Sequence, residues 1–253
     1  MKIQFLSDLH LEFRDNARWL KEHRLPVVGD VLVLAGDIIY LGDESMERHS
    51  FWDWASDNFE HVIAVPGNHE YYKYYDLKSL NGSIDKEIRH NVHYYHNNVL
   101  CIDGVAFICS TLWSYVALSE AYATEHAVTD FHRIMYGDHL LTSADFNKEH
   151  ERSLSFIKSA VAECTAQTKI VVTHHVPSYL LSSPEFKGNA LNGAFTVELG
   201  DFIAGSDIDY WIYGHSHRNI DAKIGNTSCV SNQLGYTFHG EEKNFVADRI
   251  LDI

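Results

Sequence analysis

The sequence predicts an α/β protein with helices packed outside β-sheets, and two observations support this fold class. Short apolar runs rich in β-branched residues recur along the chain and predict strands at residues 2–6, 31–34, 61–65, 99–109, 169–173, 210–213 and 227–231. Residues 45–58 and 147–165 carry apolar side chains at three- and four-residue spacing, which predicts helices between the strands. Ser143 or Asp145 is the expected N-cap of the second helix.

The chain shows no sign of a division into smaller units. No repeat, low-complexity tract or Pro/Gly/Ser-rich linker interrupts it, so residues 1–253 are expected to form one domain. The four cysteines form no Cys-x-x-Cys pair, and free, buried thiols are expected in the apolar runs. No secretory signal or stretch of about 18 apolar residues is present. A cytoplasmic protein without a membrane span is therefore expected.

The charge balance limits the classes of partner. With 20 Lys and Arg against 35 Asp and Glu, the formal net charge is −15 at pH 7. Such a surface repels polyphosphate, so bulk binding of nucleic acid is not expected. A small phosphorylated substrate remains compatible with this charge, because bound divalent cations can reverse the local sign.

Polar side chains follow five of the predicted strands at the point where each strand ends. The segments are Asp8-Leu9-His10, Gly36-Asp37, Gly67-Asn68-His69, His174-His175 and Gly214-His215-Ser216-His217. In α/β sheets, ligands bind beyond the carboxyl ends of the strands. A glycine before the polar residue permits a tight turn and a close approach of the backbone to a ligand. The sequence therefore predicts a binding site at this edge.

The first two segments each have a structural alternative. Asp8 and His10 are two positions apart, so both face one side if the strand continues, which suits chelation of one ion. The alternative is a solvated strand end. Asp37 ends a very apolar strand, where a carboxylate must be paired, capped or metal-bound. The alternative is the N-cap of a following helix.

The other three segments differ in how specifically they indicate a site. Asn68 offers a neutral amide oxygen as a ligand. The adjacent His69 would point elsewhere and serve as an acid or as a hydrogen-bond donor to phosphate. The alternative is a Gly-Asn turn with exposed polar groups. Two histidines at spacing two, His215 and His217, favour a ligand pair. Adjacent residues on a strand face opposite sides, so only one of the His174-His175 pair is expected to bind.

The combined donor set consists of carboxylate, amide and imidazole groups without thiolate, which fits Mn²⁺, Fe, Zn²⁺ or Mg²⁺. The Tyr71, Tyr72, Tyr74 and Tyr75 cluster is compatible with a pocket wall, core packing or a surface helix. A surface position is expected for five isolated histidines, His23, His49, His90, His93 and His96.

The full set of motifs resembles the calcineurin-like metallophosphoesterase superfamily. Its pattern D-x-H, G-D, G-N-H-[DE], H and G-H-x-H is present in order between residues 8 and 217. The segments Ser110-Thr111-Leu112-Trp113 and Asp130-Phe131-His132-Arg133-Ile134 also resemble elements of small, single-domain bacterial members.

The resemblance implies a four-layer α/β/β/α sandwich with two metal ions at the C-terminal edge of the sheets. It assigns His69 to face the substrate and Asp37 to bridge both ions. His174 is preferred over His175, because the family ligand normally follows directly after the strand. The first ion would be held by Asp8, His10 and His217, and the second by Asn68, His174 and His215.

The implied activity is hydrolysis of a phosphate ester, with a diester preferred over a monoester because no added cap domain is evident. Two cations about 3.5–4 Å apart, preferably Mn²⁺, would share a hydroxide that attacks phosphorus in line. The alternatives are a non-catalytic protein-binding scaffold and a nuclease acting on short or single-stranded nucleic acid. The substrate pocket is expected to be shaped by loops 71–75, 115–141 and 178–194. The sequence does not predict an oligomeric state.

Overall fold

The computed structural model describes all 253 residues and contains fourteen strands and seven α-helices. The strands are β1 Lys2–Leu6, β2 Val31–Ala35, β3 His61–Val65, β4 Ile84–Arg89, β5 Val92–His96, β6 Asn98–Ile102, β7 Val105–Ser110, β8 Met135–Tyr136, β9 His139–Leu140, β10 Thr168–Thr173, β11 Tyr210–Tyr213, β12 Ala222–Ile224, β13 Thr227–Ser231 and β14 Ile250–Asp252. The helices are α1 Arg14–Glu22, α2 Glu44–Glu47, α3 Ser50–Asn58, α4 Ala121–Ala127, α5 Asp130–Arg133, α6 Ser143–Glu163 and α7 Gly200–Ala204.

Twelve of the strands form two six-stranded sheets of similar design. The first sheet has the order β14-β1-β2-β3-β5-β4 and the second the order β12-β13-β11-β10-β7-β6. In each sheet the four central strands are parallel and the two edge strands are antiparallel. The parallel strands of one sheet therefore deliver their carboxyl ends to a single edge.

The two sheets pack face to face, with helices on their outer faces. On β2, the side chains of Val31, Val33 and Ala35 belong to the apolar layer between the two sheets. Those of Leu32 and Leu34 belong to the apolar layer between the first sheet and the helices that cover it. Both faces of the strand are buried, which explains its uninterrupted apolar sequence. Helix α3 covers the first sheet, and α6 and α7 cover the second. The predicted four-layer α/β/β/α sandwich is confirmed.

Three of the predicted elements differ from the structure by more than one residue. The run 99–109 is two strands, β6 and β7, joined by a tight turn at Asp103 and Gly104, where both residues have positive φ. The predicted helix 45–58 is interrupted at His49, which has an extended backbone and caps α3 by accepting from Phe51 N. Helix α6 begins earlier than predicted, and its cap is Thr142.

His96 is an exception to the expected surface histidines. It is 1% exposed, and its Nδ1 accepts a hydrogen bond from the backbone N–H of Thr111 at 3.0 Å. Burial lowers the pKa of His96 to about 3, so the ring is neutral. The surface expectation for His96 is wrong, because its position at the end of β5 places it under the neighbouring sheet.

All four cysteines are free, and Cys109 and Cys229 are buried. Cys101 is exposed, so burial does not extend to every cysteine in an apolar run. None of the helices combines the length and the apolarity needed to cross a bilayer.

Candidate metal centre

The five polar segments predicted from the sequence meet at one edge of the sandwich. Three follow β1, β2 and β3 of the first sheet, and two follow β10 and β11 of the second. Five of these polar residues have a left-handed backbone, with φ between 47° and 76°: Asp8, His10, Asp37, His215 and His217. A positive φ is uncommon for residues other than glycine and costs about 1–3 kcal/mol. The chain therefore turns sharply after β1, β2 and β11.

This geometry corrects the reasoning for Asp8 and His10. The two side chains do converge, but they do so through two left-handed residues and not through the alternation of an extended strand. His215 and His217 also have left-handed backbones, with φ of 76° and 50°.

Two glycines allow the backbone to lie against the carboxylates of the site. A Cβ atom on Gly67 would lie 2.2 Å from Asp37 Oδ1, and one on Gly214 would lie 2.7 Å from Asp8 Oδ2. Both distances are shorter than van der Waals contact, so no larger residue fits without displacing a carboxylate. This agrees with the close approach predicted from the glycine positions.

The first cluster consists of Asp8, His10 and His217. His10 Nε2 lies 3.0 Å from His217 Nε2, which in turn lies 3.3 Å from Asp8 Oδ1. Asp8 and His10 are fully buried, and the His217 side chain is 11% exposed. Three donor atoms thus point to one position.

The second cluster is built around His174. Its Nε2 lies 3.1 Å from Asn68 Oδ1, 3.1 Å from His215 Nδ1 and 3.3 Å from Asp37 Oδ1. The other oxygen of Asp37 faces the first cluster, with Oδ2 at 3.8 Å from His10 Nε2. Asp37 therefore lies between the clusters and presents one oxygen to each.

These separations fit divalent cations. Ligand atoms about 2.1 Å from an ion, at angles of about 90–110° to one another, lie roughly 3.0–3.4 Å apart. The distances within the two clusters, between 3.0 and 3.3 Å, fall in this range. Facing imidazole nitrogens, as in the His10–His217 and His174–His215 pairs, direct lone pairs to a shared point. The residues of both clusters could hold metal ions.

Each of the four imidazoles uses its second ring nitrogen to contact a protein oxygen. Such contacts fix the tautomer and the ring orientation of a metal ligand. The four pairs are His10 with Glu12 Oε1 at 3.2 Å, His217 with Glu241 Oε2 at 2.6 Å, His174 with the Ala35 carbonyl at 2.9 Å and His215 with the Ala194 carbonyl at 3.3 Å.

The carboxylates of the site raise the pKa of two histidines in the clusters. Burial opposes protonation of His217, but its hydrogen bonds to Asp8 and Glu241 outweigh burial and raise its pKa to about 10. Burial likewise opposes protonation of His174, yet the charge of Asp37 raises its pKa to about 9. These sites favour cations strongly, and protons compete with metal ions for them.

His69 lies beside Asp37 but makes a different set of contacts. Its backbone N–H donates to Asp37 Oδ1 at 2.9 Å, and its Nδ1 lies 2.8 Å from Glu12 Oε1. The remaining nitrogen, Nε2, lies 3.2 Å from the hydroxyl of Tyr236. Only Nε2 is therefore available to a bound molecule.

The structure distinguishes His174 from its neighbour. The ring of His175 is fully buried, and neither of its nitrogens has a hydrogen-bond partner. It packs against the ring of His215, with centroids 4.1 Å apart. Burial lowers the pKa of His175 well below its ordinary value, so this histidine is a neutral packing residue.

The sequence profile of calcineurin-like phosphoesterases matches residues 1–219 of the chain. The protein belongs to this family. The resemblance seen in the motifs is thereby confirmed, and with it a metal-dependent hydrolase that acts on phosphate esters.

Three further proteins align with more than nine-tenths of this chain. The uncharacterized protein L509 of Acanthamoeba polyphaga mimivirus is 28% identical over 277 aligned positions, which include 99% of this chain and 96% of that protein. The phosphopantetheinyl hydrolase PptH from Mycobacterium tuberculosis superimposes with a TM-score of 0.73 at 17% identity, covering 99% of this chain and 95% of that one. A putative 5′-nucleotidase from Staphylococcus aureus gives a TM-score of 0.47 at 16% identity, with 92% and 48% covered. Because its sequence identity is only 17%, the similarity to PptH supports the fold of this phosphoesterase and nothing about its substrate.

Two buried acids that the sequence reasoning missed support the phosphoesterase's strand ends. Glu70 accepts hydrogen bonds from the backbone N–H groups of Asp37 and Gly67, at 2.9 and 2.7 Å. Asp130 accepts from the amide nitrogen of Asn68 at 2.8 Å, which turns the amide oxygen of Asn68 toward His174. Glu70 is the last residue of the G-N-H-E motif, and this position could have indicated its role. For Asp130, the only sequence signal was the resemblance of its segment to small family members.

Glu12, Glu241 and Tyr236 also escaped the sequence reasoning. Glu12 lies two positions after His10, and its spacing in D-L-H-L-E was a usable signal. Glu241 and Tyr236 follow no motif, so nothing local to their sequence indicates a contact with His217 or His69.

A cleft of about 580 Å³ opens above the clusters of the phosphoesterase. Asp37, Asn68, His69, His215 and His217 line it together with loop residues. The predicted pocket loops contribute as expected, since the other lining residues include Tyr72, Ala127, Val128, Thr129, Asp130, Arg133, Ser182, Phe186, Asn189 and Leu191. Loop 178–194 was predicted slightly too short, because the lining continues through Phe195 and Thr196.

Proposed function

We propose that this hydrolase cleaves small phosphodiesters with a pair of divalent cations bound at the two clusters. The observation that supports this most directly is the position of Asp37, whose two oxygens face different clusters. A bridging carboxylate is what a two-metal site requires. In this proposal Asp37 is shared, the first ion is held by Asp8, His10 and His217, and the second by Asn68, His174 and His215.

The donor set guides the choice of metal. Each ion would have imidazole nitrogens together with oxygens from Asp or Asn, and no cysteine lies near. Such mixed nitrogen and oxygen sites suit Mn²⁺, Fe, Zn²⁺ or Mg²⁺, with Mn²⁺ preferred here. When bound, two such ions would supply a hydroxide near neutral pH and neutralise the oxygens of the phosphoryl group.

The residues of the chain would orient the substrate and manage its proton. His69 is our candidate for the catalytic acid, because its Nδ1 is committed to Glu12 and its Nε2 faces the cleft. Protonated at Nε2, it would donate a proton to the oxygen that leaves phosphorus. Glu70 and Asp130 would keep Asp37 and Asn68 in position during turnover.

The cleft favours a diester over a monoester. A diester carries one negative charge on its phosphate, whereas a monoester carries up to two. Arg133 is the single Lys or Arg side chain among the lining residues. Most of the remaining lining beyond the clusters is aromatic, aliphatic or neutral polar, which suits two uncharged ester groups.

Two other functions compete with this proposal. A protein-binding scaffold of this fold would not need its ligand positions, yet all seven of these residues and His69 are present and converge. A nuclease would need a basic path for its substrate. The net charge of −15 and a cleft whose only basic Lys or Arg side chain is Arg133 provide no such path.

The test is an assay of purified protein, with its metal content measured, against a bis-aryl phosphate and a mono-aryl phosphate in the presence of Mn²⁺. We expect turnover of the bis-aryl ester to exceed that of the mono-aryl ester by at least about tenfold. Faster turnover of the mono-aryl ester would overturn the diester preference. Metal-loaded protein that hydrolyses neither ester would support the scaffold.

A further inference from the structure

We propose that the hydroxyl of Tyr236 is a second catalytic hydrogen-bond donor, acting with His69 on the oxygen that leaves phosphorus. This inference rests on the proposed phosphodiesterase function and adds a residue to it. Tyr236 lies beyond residue 219, where the family match ends, so the match does not supply its role.

The geometry places two donors at one position. Tyr236 Oη is 3.2 Å from His69 Nε2, and both side chains line the cleft. Since Glu12 engages Nδ1 of His69 at 2.8 Å, Nε2 is the nitrogen that meets a substrate oxygen. An oxygen that enters between the two groups from the cleft can lie within hydrogen-bond distance of both Nε2 and the Tyr236 hydroxyl.

Tyr236 is held in place by the same residues that support the clusters. Its backbone N–H donates to Glu241 Oε2 at 2.8 Å, and that oxygen also contacts His217 Nδ1 at 2.6 Å. The tyrosine ring lies 4.6 Å from the ring centroids of both His10 and His217. The hydroxyl is therefore preorganised, and a preorganised donor stabilises developing charge without a reorganisation cost.

The ordinary pKa of a tyrosine hydroxyl is about 10. A phenol with a pKa near or above 10 keeps its proton at neutral pH and acts as a donor. Donation to an oxygen that is gaining charge strengthens as the bond to phosphorus lengthens.

Hydroxide forms a new P–O bond while the P–O bond to the ester group breaks, and the electron pair of the broken bond stays on the departing oxygen. His69 transfers the proton from Nε2 to this oxygen, which leaves as an alcohol, and Tyr236 donates a hydrogen bond to it without losing its proton. The next water gives a proton to His69 and becomes the hydroxide for the following turnover.

The experiment compares wild-type protein and Tyr236→Phe on two symmetric diesters, bis(p-nitrophenyl) phosphate and dibenzyl phosphate. A p-nitrophenolate ion is stable without a donor, whereas a benzyl alkoxide is not. We expect Tyr236→Phe to lower kcat about 10²-fold for dibenzyl phosphate and less than about threefold for the aryl ester. The ratio of the two rates does not depend on the fraction of active protein, so partial misfolding cannot produce this result.

The matched control is Tyr95→Phe, on strand β5 outside the cleft, which should leave both rates unchanged. Metal content and the inhibition constant of inorganic phosphate should also be unchanged in Tyr236→Phe, because its role is confined to the departing oxygen. An unchanged ratio of rates in Tyr236→Phe would overturn the role of Tyr236 while leaving the proposed function intact. Wild-type protein inactive on both esters would instead contradict the proposed function.

Discussion

Glu70 links the ends of strands β2 and β3, and Glu70→Gln tests how much the site depends on that link. Its Oε2 accepts from the backbone N–H groups of Asp37 and Gly67, at 2.9 and 2.7 Å. Its Oε1 accepts from Ile38 N at 2.8 Å and from the Tyr94 hydroxyl at 3.1 Å. Glutamine keeps the shape of the side chain but replaces one acceptor oxygen with a donor.

The loss of stability in Glu70→Gln depends on what happens to each of these four hydrogen bonds. In the best orientation the new amide nitrogen takes the place of Oε1, where the Tyr94 hydroxyl can rotate to accept from it. Ile38 N–H then loses its acceptor, at about 1–3 kcal/mol for a buried donor. The bonds from Asp37 and Gly67 lose their charge assistance, at about 1 kcal/mol each. These losses sum to about 3–5 kcal/mol, but the neutral amide also removes a buried negative charge beside Asp37, and burial and the repulsion by Asp37 raise the pKa of Glu70 to about 7. The free energy of unfolding should therefore fall by a smaller net amount, about 1–3 kcal/mol.

The assay is urea denaturation of metal-free protein in a chelator, because bound metal would itself stabilise the folded state. Burial and the charge of Asp37 raise the pKa of Glu70 to about 7, so a buffer at about pH 8.5 keeps the carboxylate ionised. The control is Glu151→Gln on the exposed face of α6, which removes the same charge without these partners. In metal-loaded protein, Glu70→Gln should also weaken Mn²⁺ binding by about 10–100-fold.

A loss below about 1 kcal/mol, relative to Glu151→Gln, would contradict this role of Glu70. It would mean that the backbone N–H groups at the two strand ends find other acceptors without difficulty. The carboxylate of Glu70 would then not be needed to hold Asp37 and Gly67 in place.

Three further predictions test other parts of the structure. Asp37→Ala should lose both metal ions, because its oxygens face both clusters; metal analysis beside the exposed control Asp57→Ala checks this, and two retained ions would exclude a bridging role. Asp130→Ala should weaken Mn²⁺ binding about tenfold in a direct titration, since the amide of Asn68 loses the acceptor that orients it; unaltered affinity would show that Asn68 needs no such partner. Burial lowers the pKa of His96 to about 3, so between about pH 6.5 and 3 the unfolded chain binds a proton that the folded state excludes. As the pH drops through that interval, His96 should lower the free energy of unfolding by up to about 1.4 kcal/mol per pH unit. Urea denaturation of His96→Gln at several pH values should lack this contribution to the pH dependence. An equal pH dependence of stability in wild-type protein and His96→Gln would contradict the prediction.

Local sequence was sufficient to find the candidate site. Aspartate, asparagine and histidine recur directly after apolar runs, and parallel strands bring their carboxyl ends to one edge of a sheet. Gly67 and Gly214 added a second local signal, because a glycine before a polar residue marks a close backbone approach. Both signals depend only on neighbours in the chain.

The conformations at the strand ends were not predictable in the same way. Asp8 and His10 were expected to alternate on an extended strand, yet both have positive φ. Left-handed residues of this kind are unfavourable alone and persist only where surrounding contacts hold them. The hydrogen bond from His215 N to Asp8, 207 positions away, is such a contact.

By itself, the sequence determined the α/β class, seven of the eight parallel strands and the donor atoms available at the strand ends, because these depend on side-chain periodicity and on adjacent residues. Only the tertiary structure decided which donors meet. It set His10 against His217, chose His174 over His175, and brought Glu241 and Tyr236 to the cleft. Those contacts join residues of different sheets or distant loops, and their geometry results from the packing of the two sheets, for which no local pattern exists.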